Sequence, residues 1–123
     1  MLAREAESTL LLKAKYYPIL VITGPRQSGK STLAKKLFSQ KPYCSLEDLD
    51  NRQFATEDPR RFLAQFPQGA ILDEVQHCPG LFSYLQTLVD QQQEKGLFIL
   101  TGSQQFGLMA KITQSLAGRV GLI

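Results

Sequence analysis

The chain has little of the chemistry on which many sites are built. One histidine, His77, and two cysteines, Cys44 and Cys78, are all it offers of those types. A single imidazole gives histidine triads and multi-histidine metal sites nothing to build on. The cysteines stand far apart with no CxxC pair, which argues against a zinc site or a disulfide framework and for reduced thiols in a cytoplasmic protein. His77 and Cys78 read as loop residues. Near the N-terminus the longest apolar stretch, Leu10 to Leu12, is cut off by Lys13, too short for a signal peptide or a membrane span. Charge of one sign forms no block either. Fourteen Lys and Arg stand against 11 Asp and Glu for a net charge of +3, and the basic residues are scattered. A nucleic-acid footprint is a clustered stripe, so this pattern gives nucleic acid no support, whereas a small polyphosphate needs fewer charges. There is no internal repeat, linker or low-complexity stretch.

What is present reads as one globular domain over residues 1–123, with 43% hydrophobic and 20% charged residues. Helix formers from about Ala3 to Lys15 precede Tyr16-Tyr17-Pro18. Ile19 to Thr23 is a continuous β-branched and apolar run ending at Gly24, the pattern of a parallel strand buried on both faces. Leu33, Ala34, Leu37 and Phe38 then recur at helical spacing. Tyr43 to Leu46 reads as a short strand, followed by the acidic run Glu47 to Asp50. Asp58-Pro59 supplies an N-cap and a first-turn proline for a helix to about Phe66. Ala70-Ile71-Leu72 is a second buried run. Cys78-Pro79 restarts a helix carrying Leu81, Phe82, Leu85, Leu88 and Val89 on one face, ended by Lys95-Gly96. Leu97 to Thr101 is the third strong strand, and a helix is expected from about Gln104 to Leu116, then an apolar tail from Val120 to Ile123. Strands alternating with helices predict an α/β fold with a parallel sheet. The tail reads as the start of a core strand, so the chain is expected to be a piece of something longer.

Between the first strand and its helix stands Gly24-Pro25-Arg26-Gln27-Ser28-Gly29-Lys30-Ser31, which matches G-x-x-x-x-G-K-[ST] at every fixed position. Glycines there let backbone N–H groups turn inward around phosphate oxygens, and the helix that follows aims its unsatisfied N–H groups at the same anion. Lys30 is expected on the β- and γ-phosphates, Ser31 on Mg²⁺, and residues 24–32, ending with Thr32, as the nucleotide cradle. The competing reading is a glycine turn that binds nothing, but the flanking strand and helix are the context a phosphate loop requires.

Ala70-Ile71-Leu72-Asp73-Glu74 carries two carboxylates off the end of a buried strand. Asp73 is expected to hold the shell of Mg²⁺, and Glu74 to orient and deprotonate the attacking water. Glu47, after the weaker strand, is the alternative base. At the end of the third strand, Ser103 or Gln104 could reach the γ-phosphate or the water as a polar sensor, with a helix N-cap as the competing role for Ser103. Arg119, in Leu116-Ala117-Gly118-Arg119, could supply charge to a transferring phosphoryl group in its own subunit or a neighbour's, against the alternative of a solvated surface arginine. Arg26 could pair with an acid or touch nucleotide.

In this order, "ITGPRQSGKSTL", "EDPRRFL", "AILDEVQHCPGLFSYLQTLVD", "LFILTGSQQFGLM" and "SLAGRV" resemble the prokaryotic AAA-type P-loop ATPases related to the STAND group. That resemblance implies a three-layer α-β-α core with a mostly parallel sheet of order 5-1-4-3-2, the chain ending in or after the last core strand. It implies a Walker A loop at Gly24–Ser31 and a Walker B strand ending at Asp73, with the catalytic glutamate beside it. The lid and a C-terminal domain of unclear function normally follow such a core. The expectation is therefore binding of Mg-ATP and, in the intact protein, its hydrolysis to ADP and phosphate to drive a conformational or assembly switch. A homo-oligomer or protein partner would be engaged through the region beyond the core. A nucleotide-binding interaction module without useful turnover and a small-molecule or nucleotide kinase are the alternatives; the Asp73-Glu74 pair favours water as acceptor.

Overall fold

The computed structural model describes residues 4–24, 29–103, 116 and 118–122. Its elements are α1 (Arg4–Lys13), β1 (Ile19–Gly24), α2 (Lys30–Leu37), β2 (Tyr43–Ser45), α3 (Leu49–Glu57), α4 (Pro59–Ala64), β3 (Ala70–Asp73), a 3₁₀ turn (Val75–His77), α5 (Leu81–Gln92), β4 (Phe98–Ser103) and β5 (Val120–Leu122). The helix expected from Gln104 to about Leu116 falls almost wholly outside the described residues, with Leu116 itself buried in the core.

All four strand pairings are parallel, in a five-stranded sheet of order β2-β3-β4-β1-β5. Read from the other edge, this is the 5-1-4-3-2 order that the family resemblance implies. Because side chains alternate across a strand, β1 divides its apolar residues between two cores. Ile19 and Val21 join Ala70, Leu72, Phe98 and Leu100 under Ala55 of α3, Phe62 and Leu63 of α4, and Phe82, Leu85 and Val89 of α5. Leu20 and Ile22 join Ile71 and Ile99 beneath Leu10 of α1 and Leu33 and Ala34 of α2. Helices thus cover both faces, which is why the strands read as unbroken apolar runs.

The local signals explain most boundaries. The Asp58 side chain accepts from the Arg61 N–H at 3.2 Å with Pro59 in the first turn of α4. Helix α3 has no counterpart in the expected elements. Asp48 caps it, accepting from the Asn51 N–H at 3.0 Å, but Ala55 is its one buried residue, so it lacks the apolar stripe that marks a helix in sequence. Cys78 also differs from the loop role expected of it: it is 2% exposed and part of the core, its thiol beside the Thr56 hydroxyl at 3.7 Å. Both cysteines are free and buried, and burial pushes both thiols up from their ordinary value, which makes them inert packing groups.

Parallel strands place their carboxyl ends on one edge. In register, Gly24 lies opposite Ser103 and Ser45 opposite Asp73, so the glycine loop and the carboxylate pair meet there.

Gly69 sets the entry to β3. Its φ is +86°, and a Cβ there would sit 1.6 Å from the Leu97 carbonyl oxygen. Gly69→Ala is expected to destabilise the fold by about 2–4 kcal/mol, from left-handed strain plus displacement of a backbone carbonyl. Urea unfolding checks this; a loss under about 0.5 kcal/mol, the scale of a neutral surface change, contradicts it.

Candidate active site

The site begins where β1 stops. Gly24 closes the strand, and Gly29 re-enters with φ +85° as the residue before α2. Among the described residues a Cβ at Gly29 would meet nothing within 4 Å, and the positive φ is what favours glycine there. Its carbonyl accepts from the Leu33 N–H at 2.9 Å, which starts the helix with Lys30 and Ser31 in its first turn. Pro25, Arg26, Gln27 and Ser28 lie outside the described residues.

Three hydroxyls converge on the Asp73 carboxylate. Ser31 Oγ donates to Oδ1 at 2.7 Å, Tyr43 Oη donates to Oδ2 at 2.6 Å, and Thr101 Oγ1 donates to Oδ1. Burial on its own would raise the Asp73 pKa, but the bonds from Thr101, Tyr43 and Ser31 and the charge of Lys30 together hold it below the ordinary carboxylate value. Tyr43 responds in the opposite sense. Burial, and then its bond to Asp73, push the phenol well above the ordinary tyrosine value. The Lys35 ammonium caps the Tyr43 ring 3.9 Å from its centroid.

Glu74 is held by other means. Its backbone is left-handed, φ 59°, and its N–H donates to Thr101 Oγ1 at 3.1 Å, so one threonine hydroxyl serves both acids. The Glu74 carboxylate pairs with Lys30 Nζ at 3.3 Å and accepts from Gln76 Nε2 at 2.7 Å and Ser103 Oγ at 3.2 Å. Lys30, Asp73 and Glu74 are 3%, 7% and 5% exposed, and no buried side-chain nitrogen or oxygen among the described residues lacks a partner. Gly29, Lys30, Ser31, Thr32, Glu47, Asp73 and Glu74 line a cleft of about 220 Å³.

The structure therefore brings together Gly24, Gly29, Lys30, Ser31, Thr32, Asp73, Glu74 and Ser103. Both candidate bases line the cleft, and Glu74 is paired with Lys30. Arg119 is not brought to this cluster. Its carbonyl accepts from the Ile19 N–H at 3.2 Å, at the start of β1, which at about 3.3 Å per residue lies ~16 Å from the Gly24 end. Its guanidinium forks onto Asp90, at 2.7 Å and 2.8 Å, so that separation excludes Arg119 from the phosphate site of its own chain. Tyr43, Thr101 and Gln76 are the site residues that sequence reasoning missed. Thr101 left a signal: a lone hydroxyl ending the apolar run that begins at Leu97, where a buried polar group requires a hydrogen-bond partner, and the structure buries it fully. Tyr43 and Gln76 left none.

A parallel sheet in which a helix starting at Lys30 follows β1, with an acid pair at the same carboxyl edge on β3, two strands away across β4, defines a P-loop nucleotide-binding domain. The family model described as AAA domain matches residues 16–123, and the chain belongs to that family. It is 35% identical over 122 residues to uncharacterized proteins of Mycobacterium bovis and Mycobacterium tuberculosis, covering 98% of this chain and 27% of theirs. The chain thus spans about a quarter of the length of those relatives. Among solved structures, it is similar to the Walker-type ATPase of Pyrococcus abyssi (TM-score 0.60, 18% identity, 98% of this chain and 52% of that one). It is also similar to a DNA replication initiation factor (TM-score 0.59, 15% identity, 97% and 44%). These likenesses show the fold.

A depressed Asp73 pKa stabilises the fold above the ordinary carboxylate value, and that contribution is lost as pH falls through the lower folded value. Tyr43→Phe removes one donor, brings the folded pKa nearer to ordinary, and should shrink the acid-dependent loss of stability below about pH 4. The variant should also cost about 1 kcal/mol at neutral pH, a partly solvated bond to a charged acceptor. Unfolding free energies from pH 2 to 7 decide it; identical acid slopes would show that Tyr43 does not tune Asp73.

Proposed function

We propose that this domain binds Mg-ATP and, within the intact protein, hydrolyses it to ADP and phosphate, driving a conformational or assembly switch. The observation that carries the reading is the cluster of buried Lys30, Asp73 and Glu74 with half-buried Ser31 at one sheet edge, with Lys30 Nζ 3.3 Å from Glu74 and Ser31 Oγ 2.7 Å from Asp73. Lys30 would bind the β- and γ-phosphates, and the residue 24–32 cradle would supply backbone donors.

A hydroxyl beside an ionised carboxylate is hard oxygen chemistry suited to Mg²⁺, which protein sites hold through one or two such groups while phosphate and water complete its shell. Ser31 and Asp73 would hold it. Bound there, the ion would neutralise charge on the phosphate oxygens. Glu74 would accept the proton of the attacking water, and Ser103 would position Glu74 or the water. Positioning and electrostatics do most of the work in phosphoryl transfer. The switch, a link to the STAND group and any partner belong to the whole protein.

Glu74→Gln in the full-length protein should keep Mg-ATP affinity within about threefold and lower kcat by about 10²–10⁴. Lys30→Met should weaken nucleotide binding by about two orders of magnitude. Phosphate release and equilibrium titration separate the two. Full turnover in Glu74→Gln with Glu47→Gln dead would move the base to Glu47, and unchanged binding in Lys30→Met would refute the cradle.

A further inference from the structure

Glu74 has partners of two kinds. Oε2 faces the Lys30 ammonium, a cation that phosphate would draw away. Oε1 accepts from the neutral groups Gln76 Nε2 and Ser103 Oγ. The Gln76 amide is itself oriented at both ends. Its oxygen accepts the Ser103 backbone N–H at 3.3 Å, and its nitrogen lies 3.4 Å from Ser103 Oγ while donating to Glu74. Turning the amide over would set its NH₂ against a backbone donor and its oxygen against a carboxylate, so one orientation satisfies both neighbours.

We propose that Gln76 is a positioning residue: it holds the Glu74 carboxylate against the end of β4 when incoming phosphate takes Lys30. The proposal rests on the reading of Glu74 as the base and deepens it. Losing Lys30 alone would leave a carboxylate buried at 5% exposure without its counter-charge, and such a group turns toward water or another donor unless it is held. Gln76 can hold it because the 3₁₀ turn is short and braced. The His77 N–H bonds the Glu74 carbonyl at 3.3 Å, and the Cys78 N–H bonds the Val75 carbonyl at 3.0 Å. Cys78 is anchored in the core. The same amide ties Glu74 to the Ser103 backbone, so a shift at the end of β4 reaches the base through Gln76.

The test uses the full-length protein. Gln76→Leu should lower kcat for Mg-ATP at least about tenfold while KM and Mg-ADP affinity stay within about twofold, the split expected when an interaction acts on the chemical step alone. In the Glu74→Gln background the same substitution should add no further loss, because the group it positions is gone. Equal losses in both backgrounds, or an unchanged kcat, overturn the proposal. Should Gln76→Leu melt early, Gln76→Glu keeps the volume and sets a second carboxylate against Glu74, and it must lower kcat at least as much. The contact has a readout independent of turnover. The Gln76 side-chain amide signal in ¹H–¹⁵N NMR should move on Glu74→Gln and keep its position when Mg-ADP is added to the wild type. If the wild type hydrolyses nothing, the reading of Glu74 as base fails, and the amide signal alone judges the contact; a signal indifferent to Glu74→Gln overturns it.

Discussion

One carboxylate holds the functional edge of this domain together. Asp73 stands at the end of β3, and the hydroxyls it gathers come from three different elements: Ser31 of α2, Tyr43 of β2 and Thr101 of β4. Taking a carboxylate out of water costs several kcal/mol. Hydrogen bonds to a charged group return about 1.5–3 kcal/mol each, so three donors offset the penalty and leave the acid ionised. The same bonds fix where the helix start, the β2 edge and the β4 end sit relative to one another. Lys30 and Glu74 inherit their positions from that arrangement, Lys30 because Ser31 is its neighbour on α2, and Glu74 because its N–H bonds the Thr101 hydroxyl that also serves Asp73.

The charge balance of the cluster also shapes what can bind. Among the described residues, two buried carboxylates face one buried ammonium, and Glu47 lines the same cleft. A bare triphosphate meets carboxylate repulsion there as well as lysine attraction, in surroundings where screening is weak. A nucleotide that brought a divalent cation would change that balance, since Asp73 would hold the cation while Lys30 met the phosphates. Binding under the proposal would be an exchange: Lys30 would leave Glu74 for phosphate, and Glu74 would stay with Gln76 and Ser103. The buried Lys30–Glu74 pair contributes little net stability in itself, but it keeps both groups in place beforehand.

Much of this was legible in the sequence because strand burial and phosphate recognition leave strict local patterns. The runs Ile19 to Thr23, Ala70 to Leu72 and Leu97 to Thr101 are apolar because both sheet faces are covered; the first two lead directly into Gly24 and Asp73, and the third ends at Thr101. Asp58-Pro59 announced α4 by capping chemistry alone. Helix α3 was not legible, since it packs through Ala55 and draws its start from Asp48, a residue that also reads as part of an acidic run. The roles of Tyr43 and Gln76 were equally hidden. They follow from the pairing of β2 with β3 and from the left-handed turn at Glu74, neither of which has a fixed residue signature. For Arg119 the sequence left three roles open, and its position could not choose among them: strand β5 begins at the edge opposite the acid pair, where Asp90 receives the guanidinium, which removes action in its own subunit.

The central claim is that Asp73 makes nucleotide binding depend on a divalent cation. Calorimetric titration of ATP into the full-length protein, with and without Mg²⁺, in the wild type and in Asp73→Asn, tests it most directly. The account predicts that Mg²⁺ tightens binding at least about tenfold in the wild type, a coupling of roughly 1.4 kcal/mol, and that Asp73→Asn abolishes the difference. Equal Mg²⁺ dependence in both proteins would contradict it.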